Sequence, residues 1–196
     1  PDRDGEDRGQ HPIRLEHLYA GRHAAHHLLT EQGVNCPALL KGRQREPAWP
    51  SGWVGSISHT RGLCVVIIAP DTRYSSVGLD VEQFSSLPAD TIDVICSREE
   101  QDHIAALSLK HGQDLACTHL DKVIFSAKES VHKTYFPLNY YTLDFLDARI
   151  ELNPREGSFS ATIINPEPNR KHDINQLSGR FIVDSDYVAT MIALVA

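Results

Sequence analysis

Three short stretches of this chain combine residue types that serve phosphate or metal chemistry. In residues 78–82 (GLDVE), Asp80 and Glu82 are two apart. On a strand they project to one face while Leu79 and Val81 turn toward the core. Two neighbouring carboxylates raise each other's pKa unless a cation lies between them. Their hard oxygens suit Mg²⁺, which binds through a few carboxylates plus substrate phosphate. The same pattern also describes a strand with a solvated acidic face.

In residues 125–133 (FSAKESVHK), Glu129 and Lys133 are four apart and share one face of a helix. That acid and base can hold a cation and a phosphate, although a plain surface ion pair is the commoner outcome. Lys128 stands about 100° around the helix and needs a different partner, on the substrate. In residues 55–59 (GSISH), Ser58 precedes His59. A Ser-His-Asp hydrolase using Asp80 is disfavoured, because neighbours on a strand diverge and no G-x-S-x-G elbow is present. A histidine beside a hydroxyl at a strand edge suits anion binding better. His23, His26 and His27 have helical spacing for a metal, but no fourth ligand is near in sequence and chance spacing outweighs zinc.

These residues need elements to hold them. Residues 15–29 carry a helical apolar stripe that Gly33 would end. Residues 54–58 and 63–69 read as two strands joined by a turn at 59–62, and 77–81 as a third, short strand. Ser97 with Glu100 makes a capping box that opens a helix to about Lys110, stopped by Gly112. The strongest helix spans 120–136: Leu120, Val123, Ile124, Ala127, Val131 and Tyr135 form one apolar face, and Pro137 is expected to halt it. Residues 146–152 alternate as a half-buried strand with Leu146 inward, and 158–164, 179–183 and 187–195 are further strands. Residues 165–176 are polar and read as an exposed loop; residues 1–10 read as a flexible end. The order α-β-β-β, then α-α-β-β-β-β, predicts an α+β chain of two lobes.

Composition narrows the classes. The chain has 196 residues, 41% apolar, and a formal net charge of −7. That acidic balance argues against bulk nucleic-acid or anionic-membrane binding, yet residues 41–52 gather Lys41, Arg43 and Arg45 into a local basic loop. No apolar run approaches the roughly 20 residues of a membrane span. Cys36, Cys64, Cys96 and Cys117 form no C-x-x-C pair, which suggests free thiols in a reducing cytoplasm. The sole methionine is Met191, so residues upstream of Pro1 are expected.

Taken in order, GSISH, GLDVE and FSAKESVHK resemble the three signature motifs of the Sfp-like 4′-phosphopantetheinyl transferases. The stretches REPAWPSGWVGSISHTRG and FSAKESVHKTYFPL look most like the enterobactin-type branch, with Thr60 where that branch often has Cys. The resemblance runs from about Leu15 to Ala196. It implies transfer of the phosphopantetheine arm of coenzyme A to a serine of an apo carrier protein (peptidyl, aryl or acyl), with release of adenosine 3′,5′-bisphosphate. Siderophore, nonribosomal peptide or polyketide synthesis is the expected setting, and a cytoplasmic monomer the expected form.

By the same likeness Mg²⁺, with Mn²⁺ as the other candidate, falls to Asp80, Glu82 and Glu129. Glu129 is the candidate base, and Lys128 falls near the reacting centre. Lys133, Ser58 and His59 fall at the coenzyme A phosphates, Arg22 near the 3′-phosphate, and Lys41, Arg43 and Arg45 around the nucleotide. The fold implied is two similar α/β lobes related by a pseudo-twofold, residues 1–77 and 78–196, with the site between them. A non-catalytic coenzyme A or nucleotide-binding module and a metal-dependent phosphohydrolase are the competing readings.

Overall fold

A computed structural model describes residues 12–196, apart from 36, 37, 43, 45, 112 and 113; for residues 12–18 it describes the backbone. The expected flexible end at 1–10, the stop at Gly112, and Arg43, Arg45 and Cys36 lie outside the described residues.

Helix α1 (Pro12–Glu31) buries Ala25 and Leu29 and ends where Gly33 takes a φ of 77°, a left-handed turn that glycine adopts without strain. It packs on a hairpin of β3 (Trp53–Thr60) and β4 (Leu63–Pro70). The approach is close at Gly21, where an added Cβ would stand 2.6 Å from Ile57 Cγ2. Between α1 and β3, the expected loop holds a small antiparallel ladder of β1 (Leu40–Lys41) and β2 (Pro47–Ala48).

The second body of the fold is a five-stranded antiparallel sheet in the order β5-β9-β8-β7-β6. Its strands are β5 (Tyr74–Gln83), β6 (Ala148–Asn153), β7 (Ser158–Ile163), β8 (Gln176–Val183) and β9 (Tyr187–Val195). Alternate residues such as Ile150, Leu152, Phe159, Ala161, Phe181 and Ile192 face inward. Helix α4 (Leu120–Asn139) covers that face, and Val123, Ile124, Ala127, Val131 and Tyr135 join the same core. Before it come α2 (Ile92–Ile95) and α3 (Arg98–His111). The Ser97–Glu100 capping box that opens α3 forms as expected, with both reciprocal bonds present.

Three expectations need correcting, and one short helix was not foreseen. The third strand is longer than 77–81 and runs from Tyr74 to Gln83. Pro137 does not halt α4, because a proline in the last turn removes one backbone donor while its neighbours complete the turn. The end comes at Tyr140, left-handed at φ 52°, whose N–H closes on Phe136 O. Leu146 is 47% exposed, since residues 145–147 form a 3₁₀ turn ahead of β6 rather than its first pleat. Finally, α2 carries no periodic signal in so short a segment.

Strand β3 shares no backbone ladder with β5; two serines join them instead. Ser56 Oγ accepts the Leu79 N–H at 3.0 Å, and Ser58 Oγ accepts the Val81 N–H at 3.2 Å. On the other side of β5, α4 presses so close that a Cβ on Gly78 would stand 2.1 Å from Ser130 O. The carboxylate strand is therefore held between the hairpin and the helix.

Candidate active site

Asp80 lies at that seam. Its Oδ1 accepts the Lys133 ammonium at 2.8 Å and the Ser58 hydroxyl at 2.8 Å. Lys133 also donates to Ser58 Oγ at 3.0 Å and to Leu79 O at 3.1 Å. Asp80 is 4% exposed and Lys133 25%, so the pair is far from a solvated surface contact. The period-two expectation for Asp80 and Glu82 is right about direction, but the face they share is not solvated. Leu79 and Val81 are buried on the other side.

The second oxygen of Asp80, Oδ2, is buried with no hydrogen-bond partner. A buried anionic oxygen left so is costly unless something fills the space. The two nearby carboxyls are strained in the same sense. Burial, then the charges of Asp80 and Glu129, push Glu82 up to about 7 against the relief from Lys122 and Lys133. Burial and then Asp80 likewise raise Glu129, offset by Lys133. Three mutually repelling carboxylates, one with a vacant oxygen, are a donor set that fits a hard divalent ion. Among the described residues, no group of three or more His, Cys, Asp or Glu side chains is gathered closely enough to hold a metal ion, the histidines of α1 included.

Ser58 and His59 diverge as expected, Ser58 buried and His59 exposed. The hydroxyl is spent on Asp80, Lys133 and Val81, which leaves no nucleophile–base pair with the adjacent imidazole. On α1, the Arg22 guanidinium donates through Nη1 to Leu39 O, two residues before the exposed Lys41. Burial lowers the Arg22 pKa from its ordinary value.

Lys128 is placed differently from the expectation that it stands near the reacting centre. It is 2% exposed and paired at 2.8 Å with Glu100, itself 1% exposed. The i+1 step from Glu129 turns it into the core, where backbone carbonyls take its remaining donors.

Beyond Lys133 a cleft of about 1020 Å³ runs along α4. It is lined by Trp49, Ile57, His132, Lys133, Phe136 and Tyr140 among others. Sequence reasoning missed this cleft, although Lys133, Phe136 and Tyr140 follow the helical spacing that could have marked a continuing face. Burial first, and then Lys133, lower the His132 pKa from its ordinary value.

A family model described as the 4′-phosphopantetheinyl transferase superfamily matches residues 76–192, and one described as the 4′-phosphopantetheinyl transferase N-terminal domain matches residues 9–69. The chain is 32% identical over 188 residues to 4′-phosphopantetheinyl transferase Svp of Streptomyces mobaraensis, covering 94% of this chain and 74% of that one. It is 32% identical over 178 residues to 4′-phosphopantetheinyl transferase PptT of Mycobacterium tuberculosis, covering 88% and 76%. It is 38% identical over 125 residues to enterobactin synthase component D of Escherichia coli, covering 61% of this chain and 53% of that one.

Proposed function

The chain belongs to the 4′-phosphopantetheinyl transferase superfamily, and we propose that it transfers the phosphopantetheine arm of coenzyme A to a serine of an apo carrier protein. The observation that carries this is the seam itself: Asp80 with a free buried oxygen, two carboxyls pushed toward neutrality, and Lys133 at one wall of a large cleft. The serine oxygen bonds to the phosphorus that bears pantetheine. The bond from that phosphorus to the bridging oxygen breaks, and adenosine 3′,5′-bisphosphate leaves with the electron pair.

Glu129 takes the serine proton; its raised pKa moves it toward the range where a base is effective near neutrality. Lys133 and His59 face the pyrophosphate, with Ser58 fixing Lys133 from behind. Arg22 and Lys41, with Arg43 and Arg45, take the nucleotide phosphates. Asp80, Glu82 and Glu129 would hold Mg²⁺ or Mn²⁺, which when bound neutralises charge on the pyrophosphate.

The site lies between two lobes, residues 1–77 and 78–196, related by a pseudo-twofold. In support, each half sets one long helix on antiparallel strands. Likeness to enterobactin synthase component D supports a siderophore, nonribosomal peptide or polyketide setting. We read it as a monomer, and the described cysteines, Cys64, Cys96 and Cys117, are free thiols, which suits a reducing cytoplasm. No described helix is long and apolar enough to cross a membrane.

Lys133 on the cleft wall, with Glu129 four residues before it on α4, weighs against a non-catalytic binding module, and family membership weighs against a phosphohydrolase. The test is transfer from fluorescently tagged coenzyme A to apo carriers in the presence of Mg²⁺. Labelled carrier supports the reading; unlabelled carriers of every class overturn it.

A further inference from the structure

The proposed transfer uses Glu129 and Lys133 but leaves their helix neighbour Lys128 without a task. Its ammonium has three donors, and all three are engaged at 2.8 Å, by Glu100 Oε2, Ile95 O and Phe145 O. Those acceptors come from the first turn of α3, the end of α2 and the 3₁₀ turn ahead of β6. Glu100 is just as fully engaged. Its Oε2 also accepts the Ser97 N–H at 2.7 Å, and its Oε1 accepts the Ile150 N–H of β6 at 2.8 Å.

A lysine held this way cannot turn toward a phosphate without stranding a buried carboxylate. What the hub does fix is the helix. The Gly78 contact presses α4 against β5 at Ser130 and Thr134. Lys128 ties the same turn to three other elements. Held from both sides, α4 is restrained against rotation about its axis, and that restraint sets where Glu129, about 100° from Lys128, points.

We propose that Glu100 and Lys128 are a positioning pair for the transfer reaction, touching no substrate and acting by holding Glu129 in its productive orientation. This rests on the transfer reading above.

The test is the double variant Glu100→Gln/Lys128→Met, which replaces the pair by neutral side chains of similar size and leaves no buried charge alone. It is assayed beside the wild type, well below its melting temperature. The kcat for carrier modification should fall by about tenfold to a hundredfold, as a slightly misplaced catalytic group does. The Kd for coenzyme A by calorimetry should stay within about twofold, as expected when no substrate contact is lost. The Mn²⁺ concentration needed for half-saturation, read by Mn²⁺ binding, should rise.

Glu100→Gln alone has one acceptor oxygen where the carboxylate uses two, for Ile150 and for Lys128, so it loosens the same hub and should also lower the kcat; it serves as the test if the double variant does not fold. An unchanged kcat in folded variants overturns the proposal in favour of a purely structural pair. A loss of coenzyme A affinity matching the loss of kcat overturns it in favour of a substrate contact. A wild type that modifies no carrier sinks the transfer reading, and the pair's role with it.

Discussion

Lys133 reaches across from α4 to one oxygen of Asp80 at 2.8 Å, and the other oxygen of the same carboxylate is buried without a partner. One oxygen of Asp80 is thus paired within the protein, and the other is buried without a hydrogen bond. Asp80→Asn keeps the shape and removes the charge. It should cut transfer on the order of 10²-fold, comparable to losing a main electrostatic group, with an unchanged circular dichroism spectrum. Normal turnover would refute the metal assignment.

Lys133→Met leaves the Asp80 carboxylate with the Ser58 hydroxyl as its remaining side-chain donor among the described residues. The pair is partly open to solvent, so the cost should be about 1–3 kcal/mol in urea unfolding. Added Mg²⁺ should restore part of that loss in the variant, because a cation beside Asp80 replaces the missing charge. Equal stability of variant and wild type without Mg²⁺ would contradict the geometry.

Glu82 gives a pH dependence with a definite sign. Its pKa, raised mainly by burial to about 7, lies above its ordinary value of 4.5. Between those values the folded metal-free chain binds more protons than the unfolded one, so this group's contribution to stability falls as pH rises through the window. A divalent ion needs the ionised form, so its affinity should fall as pH drops below about 7 and its binding should release protons. Melting temperature from pH 5 to 8, wild type against Glu82→Gln, isolates the effect. Parallel curves would contradict it.

Arg22→Ala should weaken coenzyme A by about tenfold to a hundredfold, the worth of a charge-assisted bond. The loss should be nearly absent for dephospho-coenzyme A, which lacks the 3′-phosphate. Calorimetry with both ligands decides, and an equal loss for each would place the 3′-phosphate elsewhere.

Gly78→Ala drives a methyl into the backbone of α4, 2.1 Å from Ser130 O. It should destabilise by about 1–3 kcal/mol or more, as overpacking does, and should lower kcat because Glu129 rides on that helix. An unaffected unfolding midpoint would show that α4 can shift at no cost.

The apolar face of α4 was legible from the spacing of Leu120 to Tyr135, because burial on one side imposes the helical period. The alternation of β6 was legible for the same reason at period two, and the capping box because its signal is local. The family was legible as a set of motifs, and Asp80's direction followed from the pleat. Its burial did not, because Ser58 and Lys133 reach it from elements far away in the chain. Lys128 was misplaced for a related reason: two of its three partners are backbone carbonyls, of Ile95 and Phe145, which no side-chain pattern announces. Glu100 could be read only as a cap, since its bonds to Lys128 and Ile150 are tertiary. Pro137 misled because one lost backbone donor did not stop the helix, which runs on to Asn139.

The central claim is tested most directly by weighing an apo carrier protein after incubation with this chain, coenzyme A and Mg²⁺. The expected result is a gain of one phosphopantetheine group per carrier, lost when the acceptor serine is replaced by alanine and lost with Asp80→Ala or Glu129→Ala. An unchanged mass for peptidyl, aryl and acyl carriers alike would contradict it.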